Sequence, residues 1–580
     1  AYWESHKMIE NIERGFSIDE ISDFTGAQHK TADNDKYLRN IWEIEKDKCG
    51  KNKRWIFYAK GGEYRKYYGN IEYVVDWSDE ARDFYKNNPT SNLIDQKYWY
   101  EDGITFTKIT SKGSSFRYLE PNGVFDMGGP SIIRVQNLYY CLGLLNCKIA
   151  DNYFKMVNPT INLQNKDVKS FPIIMPCTKE KIESIETIVK QNVEISKLDW
   201  NSFETSWDFK KHPLLEFIDS MPGLHDSNIK VPPTHLKIVK NNYGEECFIA
   251  DELPMRARIS DSFRKWEEYT EKQFNTLKKN EEVLNKIFID IDGLQDELTP
   301  EEEDKDVTIR KADQEREIKS LISYAVGCMF GRYSLEKDGL IYAGGDFDKV
   351  YKKYKGENGG WAGASLANYT VLNDNGKEID LSFEVDNDNV IPITDEAYFG
   401  DDIVERFKKF ISVAYGKETL NENLDFIAET LGKKGTETSE DTIRRYFVND
   451  FFNDHVKTYQ KRPIYWLFDS GKKYGFKALI YMHRYNENLV PKIRLDYLHR
   501  MQITYEKLLS DINYKLTTEL SMTDKKEAQK RQADLNAKLQ EIKEYDEKVA
   551  HIANQRISID LDDGVKVNYE KFKDILAKIK

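Results

Sequence analysis

The chain has 580 residues, of which 40% are hydrophobic and 13% aromatic, and its formal net charge is −13. A single hydrophobic core rarely supports this length, so we expect about three domains, and the apolar content excludes wholesale disorder. The acidic balance excludes a general affinity for polyanions, so any nucleic-acid site must be confined to a local surface.

Cysteine usage and hydropathy indicate where the protein resides. The six cysteines are scattered without a CxxC pair, a pattern typical of thiols in a reducing cytoplasm rather than of disulfides or zinc sites. No apolar run reaches the roughly 18 residues of a membrane-spanning helix. We therefore expect a cytoplasmic protein with no membrane partner. The chain begins at Ala1 rather than at a methionine, which predicts a piece of a longer polypeptide.

The sequence changes character near residue 51. The isoleucines of residues 1–50 have the spacing of one helical face, which predicts a helix followed by a connecting loop. Residues 51–177 alternate short aromatic and β-branched runs with Gly, Asn and Pro, which predicts strands and turns, with one helix over 135–157. Residues 1–176 contain 24 basic and 24 acidic side chains. The excess negative charge therefore lies in the remainder of the chain.

The stretch Lys51 to Gly69 (KNKRWIFYAKGGEYRKYYG), here called the basic aromatic segment, has a charge pattern unlike that of the whole chain. One acid, Glu63, stands against six cations, and a Gly61-Gly62 pair lies in the middle. The cations are Lys51, Lys53, Arg54, Lys60, Arg65 and Lys66. Cations beside six aromatic rings are typical of a nucleic-acid surface. A strand-turn-strand with a solvated basic face and a tyrosine-rich core explains the composition equally well.

Two later segments carry similar chemistry. In and just before residues 111–135, the cations Lys108, Lys112 and Arg117 stand beside small residues, and loops of this type can contact phosphates or base edges. An ordinary hairpin with polar turns is an equal alternative. Residues 145–174 contain three amide side chains that could read adenine by paired hydrogen bonds. These are Asn158, Asn162 and Gln164, and the interpretation that they cap a helix and a turn is favoured.

From residue 178 onward the apolar spacing becomes helical. A long helix is predicted from Ser260, as N-cap, to Phe288, and the acidic stretch 290–306 reads as a domain boundary. The tail from Ile503 to Ile552 has two apolar stripes separated near Ser521. Two helices folded as an antiparallel hairpin are expected there.

These patterns together predict an α+β multidomain protein: a β-rich domain, then mainly helical domains, then a C-terminal helical hairpin. The predicted divisions are 1–50, 51–177, 178–300, 307–500 and 501–580, of which 307–500 is a mixed α+β region.

Motifs for catalysis and metal binding are not found in the sequence. It contains no P-loop, no GxGxxG after a strand, no HExxH and no GxSxG. The pair Pro232-Pro233 lacks the flanking residues that an amino-methyltransferase needs. The nine histidines have no metal-ligand spacing. No catalytic residue and no metal ligand is therefore predicted.

Several segments, in this order, resemble large adenine-specific DNA methyltransferases, and the nearest group is the PglX methyltransferases of type 1 BREX phage-defence systems. Fused type IIG restriction-methylation enzymes are more distant. The resembling segments are TADNDKYLR (31–39), RWIFYAKGGEYRKYYGNIEYVVDW (54–77), GITFTKITSKGSSFRYLEPNGVFDMGG (103–129), LNCKIADNYFKMVNPTINLQNKDVKSFPI (145–173), the stretch 280–335 and RPIYWLFDSGKKYGFKALIYMHRY (462–485).

The resemblance implies the C-terminal half of such an enzyme, with 51–177 as its target-recognition domain. The family's cofactor-binding glycine motif and catalytic Asn-Pro-Pro-aromatic tetrapeptide are absent from this sequence. By similarity they lie upstream of Ala1, with residues 1–50 as the connector. No cofactor is therefore expected in this chain, and S-adenosylmethionine is expected for the longer protein. The implied partners are double-stranded DNA and other BREX components.

The implied DNA-facing residues come from the segments described above. Lys53 and Arg54 are expected as outer phosphate contacts, and the Gly61-Gly62 turn is expected to bring backbone amides close to the duplex. The remaining expected contacts are Lys60, Arg65, Lys66, Lys112 and Arg117.

Two alternatives remain open at the level of sequence. One is the recognition half of a fused type IIG restriction-methylation enzyme. The other is a protein-interaction scaffold of a defence complex that uses the tail hairpin and does not bind DNA.

Overall fold

The structure is a computed structural model that describes residues 6–24, 28–109, 112–218, 236–240, 242–244, 246–250, 257–353, 369–372 and 375–580. The described residues fold into two compact units. Unit 1 combines residues within 1–41, 47–209 and 266–312, and unit 2 combines residues within 42–46, 210–265 and 313–580.

The α-helices of the described residues are numbered in chain order. They are α1 His6–Arg14, α2 Asn34–Tyr37, α3 Asp79–Asn87, α4 Leu138–Leu145, α5 Lys148–Val157, α6 Asn165–Lys169, α7 Lys179–Asn201, α8 Pro213–Glu216, α9 Ile259–Asp292, α10 Gln314–Met329, α11 Phe347–Val350, α12 Ile403–Tyr415, α13 Leu420–Thr430, α14 Ser439–Asn449, α15 Phe451–Thr458, α16 Leu489–Lys492, α17 His499–Lys515, α18 Met522–Gln555 and α19 Gly564–Glu570.

The β-strands are short and are numbered in the same way. They are β1 Phe16–Ser17, β2 Leu38–Asn40, β3 Trp55–Ala59, β4 Tyr73–Asp76, β5 Gly103–Phe106, β6 Phe116–Leu119, β7 Gly123–Phe125, β8 Ser131–Ile133, β9 Pro172–Ile173, β10 Leu236–Lys240, β11 Glu246–Ala250, β12 Tyr351–Lys353, β13 Tyr369–Leu372, β14 Glu378–Asp380, β15 Ile391–Pro392, β16 Tyr465–Asp469 and β17 Lys477–Tyr481. The prediction of an α+β multidomain protein is confirmed.

Unit 1 contains two principal sheets. The first has the strand order β2-β4-β3-β7, in which β3 and β7 are parallel and the other pairs antiparallel. The second is antiparallel with the order β6-β5-β8. The β-branched and aromatic residues of these strands form the buried faces, as expected for strands that pack on a core.

Helices cover the second sheet of unit 1. The sequence predicts one helix over 135–157, but the structure has α4 and α5 with a break at Asn146. The Asn146 side chain donates to the Phe116 carbonyl and accepts from the Phe116 amide, both at 2.9 Å. The break therefore satisfies a backbone position at the edge of β6, which apolar periodicity does not reveal.

The long predicted helix is present as α9, but it begins differently from the prediction. Ser260 is not its N-cap: the helix begins at Ile259, whose amide donates to Asn423 Oδ1 at 2.8 Å. Within unit 1, α9 packs with α4, α5 and α7 around one core. The acidic stretch 290–306 also lies in unit 1, and Glu302 within it is buried. The five-part division of the chain stays a prediction.

Unit 2 contains the antiparallel sheet β15-β17-β16 and the predicted hairpin. Helix α16 passes through a π-helical turn, Ile493–Leu498, into α17, and α18 returns alongside it. Gln532 in α18 donates to Asn513 in α17 at 2.6 Å. The Ser521 hydroxyl caps α18 by accepting from the Asp524 amide. The helical hairpin is thus confirmed, with its break where the apolar spacing stops.

None of the described helices is both long enough and apolar enough to span a bilayer.

Parallel pairing of β3 with β7 depends on Gly123, which lies opposite Phe57. A Cβ atom at Gly123 would overlap the Phe57 carbonyl oxygen. Gly123→Ala should therefore lower the free energy of unfolding of unit 1 by about 3 kcal/mol, because the two backbones must separate. Calorimetric melting curves measure this change. Gly400→Ala is the control, because no atom lies within 4 Å of the added methyl group, and equal melting of both variants would contradict the account.

Candidate nucleic-acid interface

The aromatic residues of the basic aromatic segment are mainly core residues. Strand β3 places Trp55, Ile56 and Tyr58 in the interior of unit 1 with 1% exposure or less. Tyr67 and Tyr68 are also buried. Packing therefore explains this half of the composition, as the alternative interpretation of the segment expects.

The cations at the start of β3 are exposed. Arg54 donates to Asp76 Oδ2 at 3.0 Å, and its guanidinium lies 5.4 Å from the centre of the Trp55 ring. Lys53 is exposed, and no carboxylate of the described part of the chain lies within 4.0 Å of its ammonium group. This end of the strand can therefore present Lys53 to a ligand.

At the other end of β3, the Gly61-Gly62 turn packs against a second glycine pair. Gly61 is buried with φ +84°, and a Cβ atom there would lie 2.6 Å from the Gly128 carbonyl oxygen. The two glycine pairs let two backbones approach each other. The chain itself thus occupies the space beside Gly61, and the expectation that the Gly61-Gly62 turn brings backbone amides close to a duplex stays a prediction. Lys60 is partly buried, 3.8 Å from Asp126 Oδ2.

Arg65 is directed into the protein. Its Nη1 donates to Asp199 Oδ2 at 3.1 Å, and its guanidinium stacks 5.0 Å from the centre of the Trp200 ring. Asp199, near the end of α7, also accepts from the backbone amide of Arg310 at 3.2 Å. This network joins the basic aromatic segment to α7 within unit 1.

Lys66 forms the most deeply buried ion pair of the segment. Its Nζ lies 3.3 Å from Glu281 Oε1 in α9, and the two side chains are 3% and 2% exposed. Burial lowers the pKa of Lys66, but the combined attraction of Glu281 and of the neighbouring Glu302 and tyrosines outweighs burial and raises the pKa well above its usual value. Burial raises the pKa of Glu281 to about 7, against the opposing effect of Lys66. Lys66 therefore stays charged, and its ammonium group is paired with the buried Glu281 carboxyl group rather than available to a ligand.

Arg117, in β6, is also buried, with 1% exposure. It donates to the Arg65 carbonyl at 3.3 Å and to Thr107 Oγ1 at 3.2 Å. Burial and the nearby Arg65 charge lower the pKa of Arg117 to about 9. The guanidinium fixes the backbone between the basic aromatic segment and the second sheet.

Four of the nine expected DNA-facing residues, Gly61, Arg65, Lys66 and Arg117, therefore lie in the interior. The side chains of Arg65, Lys66 and Arg117 cannot reach a phosphate in this structure, because protein groups bind and enclose them. The sequence pattern could not distinguish them from surface cations, since their partners come from distant segments. Lys53, Arg54 and Lys112 are exposed.

The structure nevertheless brings the three sequence segments together at one place. Thr107 Oγ1 donates to the Gly62 carbonyl at 3.3 Å, and the Lys108 amide donates to the Gly128 carbonyl at 3.2 Å. The Leu163 amide donates to the Lys108 carbonyl at 2.9 Å. We call these converging loops, residues 60–62, 107–109, 127–129 and 157–163, the loop cluster.

Exposed cations lie on and beside the loop cluster. Within the described ranges, no carboxylate oxygen lies within 4.0 Å of the ammonium groups of Lys108, Lys155 or Lys166. Lys155 and Lys166 are exposed, and Lys108 is half-buried. Sequence reasoning missed Lys155 and Lys166 as candidates. The available signal was the position of Lys155 in a helix whose apolar residues, such as Phe154, face the core.

The amide side chains of the loop cluster support the loop itself. Asn158 donates to the Asn162 carbonyl at 2.9 Å and to Asp167 Oδ2 at 2.6 Å. Its Oδ1 accepts from the Thr160 hydroxyl at 2.7 Å. Gln164 begins α6 in a capping box with Asp167. Capping, the favoured interpretation, thus accounts for Asn158 and Gln164.

No known protein-family profile matches the chain. It is 36% identical over 593 residues to the adenine-specific methyltransferase PglX of Lacticaseibacillus casei (strain Zhang), a match that covers 98% of this chain and 44% of that protein. It is 34% identical over 575 residues to the adenine-specific methyltransferase BrxX of Escherichia coli O9:H4 (strain HS), covering 94% and 42%. The chain is similar to adenine-specific methyltransferases.

The matches also correct one expectation. The chain spans less than half the length of the two relatives, so it corresponds to a part of them. The expectation that this part is the C-terminal half of a PglX methyltransferase was wrong as stated, because coverage of 42–44% establishes only a part and not its position.

The Lys66–Glu281 pair gives a direct test of the structural role of the segment. Lys66→Met should cost about 3–5 kcal/mol of unfolding free energy, because Glu281 is left buried without its cation. The double variant Lys66→Met/Glu281→Leu should recover most of this loss, since no buried charge remains. Denaturant titration followed by tryptophan fluorescence measures both.

An exposed pair supplies the matched control. Lys97 lies 3.7 Å from Asp23 Oδ2 with about half of its side chain exposed, so Lys97→Met should change stability by less than about 1 kcal/mol. Equal effects of Lys66→Met and Lys97→Met would contradict the burial of Lys66.

Proposed function

We propose that this chain is the DNA-recognition part of an adenine-specific DNA methyltransferase of a BREX phage-defence system. The observation that carries the proposal is the similarity, over at least 94% of the chain, to two adenine-specific methyltransferases. The loop cluster supplies a place where a polyanion could bind, despite the net charge of −13.

The chemistry of the reaction explains why such a part is needed. The N6 amino group of adenine is paired and stacked in duplex DNA, so a methyltransferase must first be placed at its site and then extrude the base. Phosphate contacts fix the register on the duplex, and contacts to base edges read the sequence. We propose S-adenosylmethionine as the methyl donor of the whole protein and assign it no residue in this chain.

We propose the loop cluster as the phosphate-binding surface. Lys108, Lys155 and Lys166 are its main cations. In the part of the chain that the structure describes, no carboxylate oxygen lies within 4.0 Å of their ammonium groups. Exposed Lys112 follows the same loop, and Lys53 would be a separate contact at the far end of β3. Arg65, Lys66 and Arg117 would support the surface from inside.

The other proposed partners rest on the similarity alone. BREX components are proposed as protein partners of the whole enzyme. A fused restriction-methylation enzyme is not favoured by any observation on this chain. The scaffold alternative is the outcome if the chain fails to bind DNA.

Selection from a pool of random duplex DNA tests the proposal. At moderate salt the chain should retain duplexes that share a short asymmetric motif, because base contacts discriminate among sequences that phosphates do not. Sequencing of the retained DNA reads the motif. Retention without a motif would contradict a recognition role, and no retention even at low salt would leave the scaffold alternative.

The phosphate contacts can be counted by salt dependence. Lys108→Ala/Lys155→Ala/Lys166→Ala should reduce the slope of log K against log salt by about 2–3, since each phosphate contact contributes roughly 0.9. Fluorescence anisotropy with a labelled duplex gives the slope.

A matched triple variant in the tail hairpin is the control. Lys525, Lys526 and Lys530 of α18 are exposed. As for Lys108, Lys155 and Lys166, no carboxylate oxygen of the described residues lies within 4.0 Å of their ammonium groups. Lys525→Ala/Lys526→Ala/Lys530→Ala should leave the slope unchanged. If the hairpin variant reduced the salt slope more than the loop-cluster variant, the DNA-binding surface would lie in unit 2.

A further inference from the structure

Two large apolar side chains are displayed at the outer end of the loop cluster. Ile109 is 65% exposed and Ile161 is 63% exposed. Ile109 pairs with Asn162 in an isolated antiparallel bridge, next to the hydrogen bond from Leu163 to Lys108. We call residues 107–109 and 160–163 the isoleucine tip.

The bridge determines how close the two isoleucines lie. Residues directly opposite each other across an antiparallel pair are neighbours, with Cβ atoms about 4.5–5.5 Å apart. Ile109 lies opposite Asn162, which follows Ile161 in the chain. The two exposed isoleucines therefore lie on two adjacent loop segments that this bridge joins.

The isoleucine tip is held by the fold. Leu163 anchors the segment 160–163 in the core with 7% exposure. The Asn158 amide fixes the turn through the Asn162 carbonyl, and the Thr160 hydroxyl donates back to Asn158. Ordering the segment in advance reduces the entropy lost when it binds.

Charge around the tip indicates what covers it. Lys108 lies on the tip itself, and Lys155 and Lys166 lie on α5 and α6, the helices that flank the loop 158–164. Among the residues that the structure describes, no carboxylate oxygen lies within 4.0 Å of the ammonium groups of these lysines. Exposed apolar side chains that share a loop and its flanking helices with unneutralised lysines are complementary to the stacked bases and the phosphates of a nucleic acid.

We propose that Ile109 and Ile161 form an apolar wedge that enters the base stack of duplex DNA and unstacks base pairs next to the recognised adenine. This inference rests on the proposed function and adds a role that phosphate contacts cannot supply. Aliphatic side chains placed between base steps unstack them. Extruding a base costs a few kcal/mol, which insertion of the wedge would partly offset.

Fluorescence of 2-aminopurine tests the wedge. The duplex is the one enriched from the random pool, with 2-aminopurine replacing each adenine in turn, and emission rises when the analogue is unstacked. The chain should increase emission severalfold at one or two positions. Ile109→Ala/Ile161→Ala should abolish this increase and leave the salt slope of binding unchanged, because the lysines remain.

Two further variants separate the wedge from other effects. Ile109→Leu/Ile161→Leu keeps the apolar volume and should restore the emission increase. Leu495→Ala/Ile503→Ala removes two residues of the tail hairpin region that are 59% and 53% exposed, and should behave like the unaltered chain.

The outcomes distinguish this inference from the proposed function. If the unaltered chain binds DNA but no position brightens, or if Ile109→Ala/Ile161→Ala retains the full increase, the wedge is overturned and DNA recognition stands. If the unaltered chain binds no duplex, the proposed function fails and the wedge fails with it.

Discussion

The buried ion pairs of the basic aromatic segment determine how unit 1 is assembled. Arg65 with Asp199 of α7 and Lys66 with Glu281 of α9 hold the strand-rich segment against two long helices. A buried charge without its partner costs several kcal/mol, so these pairs specify one docking of strands on helices. The same pairs remove two cations from any interface, so the proposed phosphate contacts are instead Lys108, Lys155 and Lys166.

The elements of the fold that depend on local pattern could be predicted from the sequence. The tail hairpin follows from apolar spacing, and its break coincides with a capping serine, Ser521. The α4–α5 break could not be predicted, because it exists to satisfy Phe116, a residue some 30 positions away. Periodicity reports which face of an element is buried and does not report what it packs against.

The candidate site was predicted in part. The sequence pointed to three segments in order, and the structure joins loops of all three in the loop cluster. It did not show that Lys66 and Arg117 are interior, because their partners lie elsewhere in the chain and leave no common local signature. Lys66 pairs with Glu281, and Arg117 donates to the Arg65 carbonyl and the Thr107 hydroxyl. It also gave no reason to single out Ile109 or Ile161, since an exposed apolar residue becomes notable only when its surroundings are known.

Lysine acetylation rates, read residue by residue by mass spectrometry with and without duplex DNA, test the central claim most directly. The account predicts that Lys66 is unreactive in both samples, because Glu281 and the core enclose it. Lys155 and Lys166 should react rapidly in the free chain and become protected by DNA, while Lys525 and Lys526 of the hairpin stay reactive throughout. A Lys66 that reacts in the free chain and is protected by DNA would contradict the account.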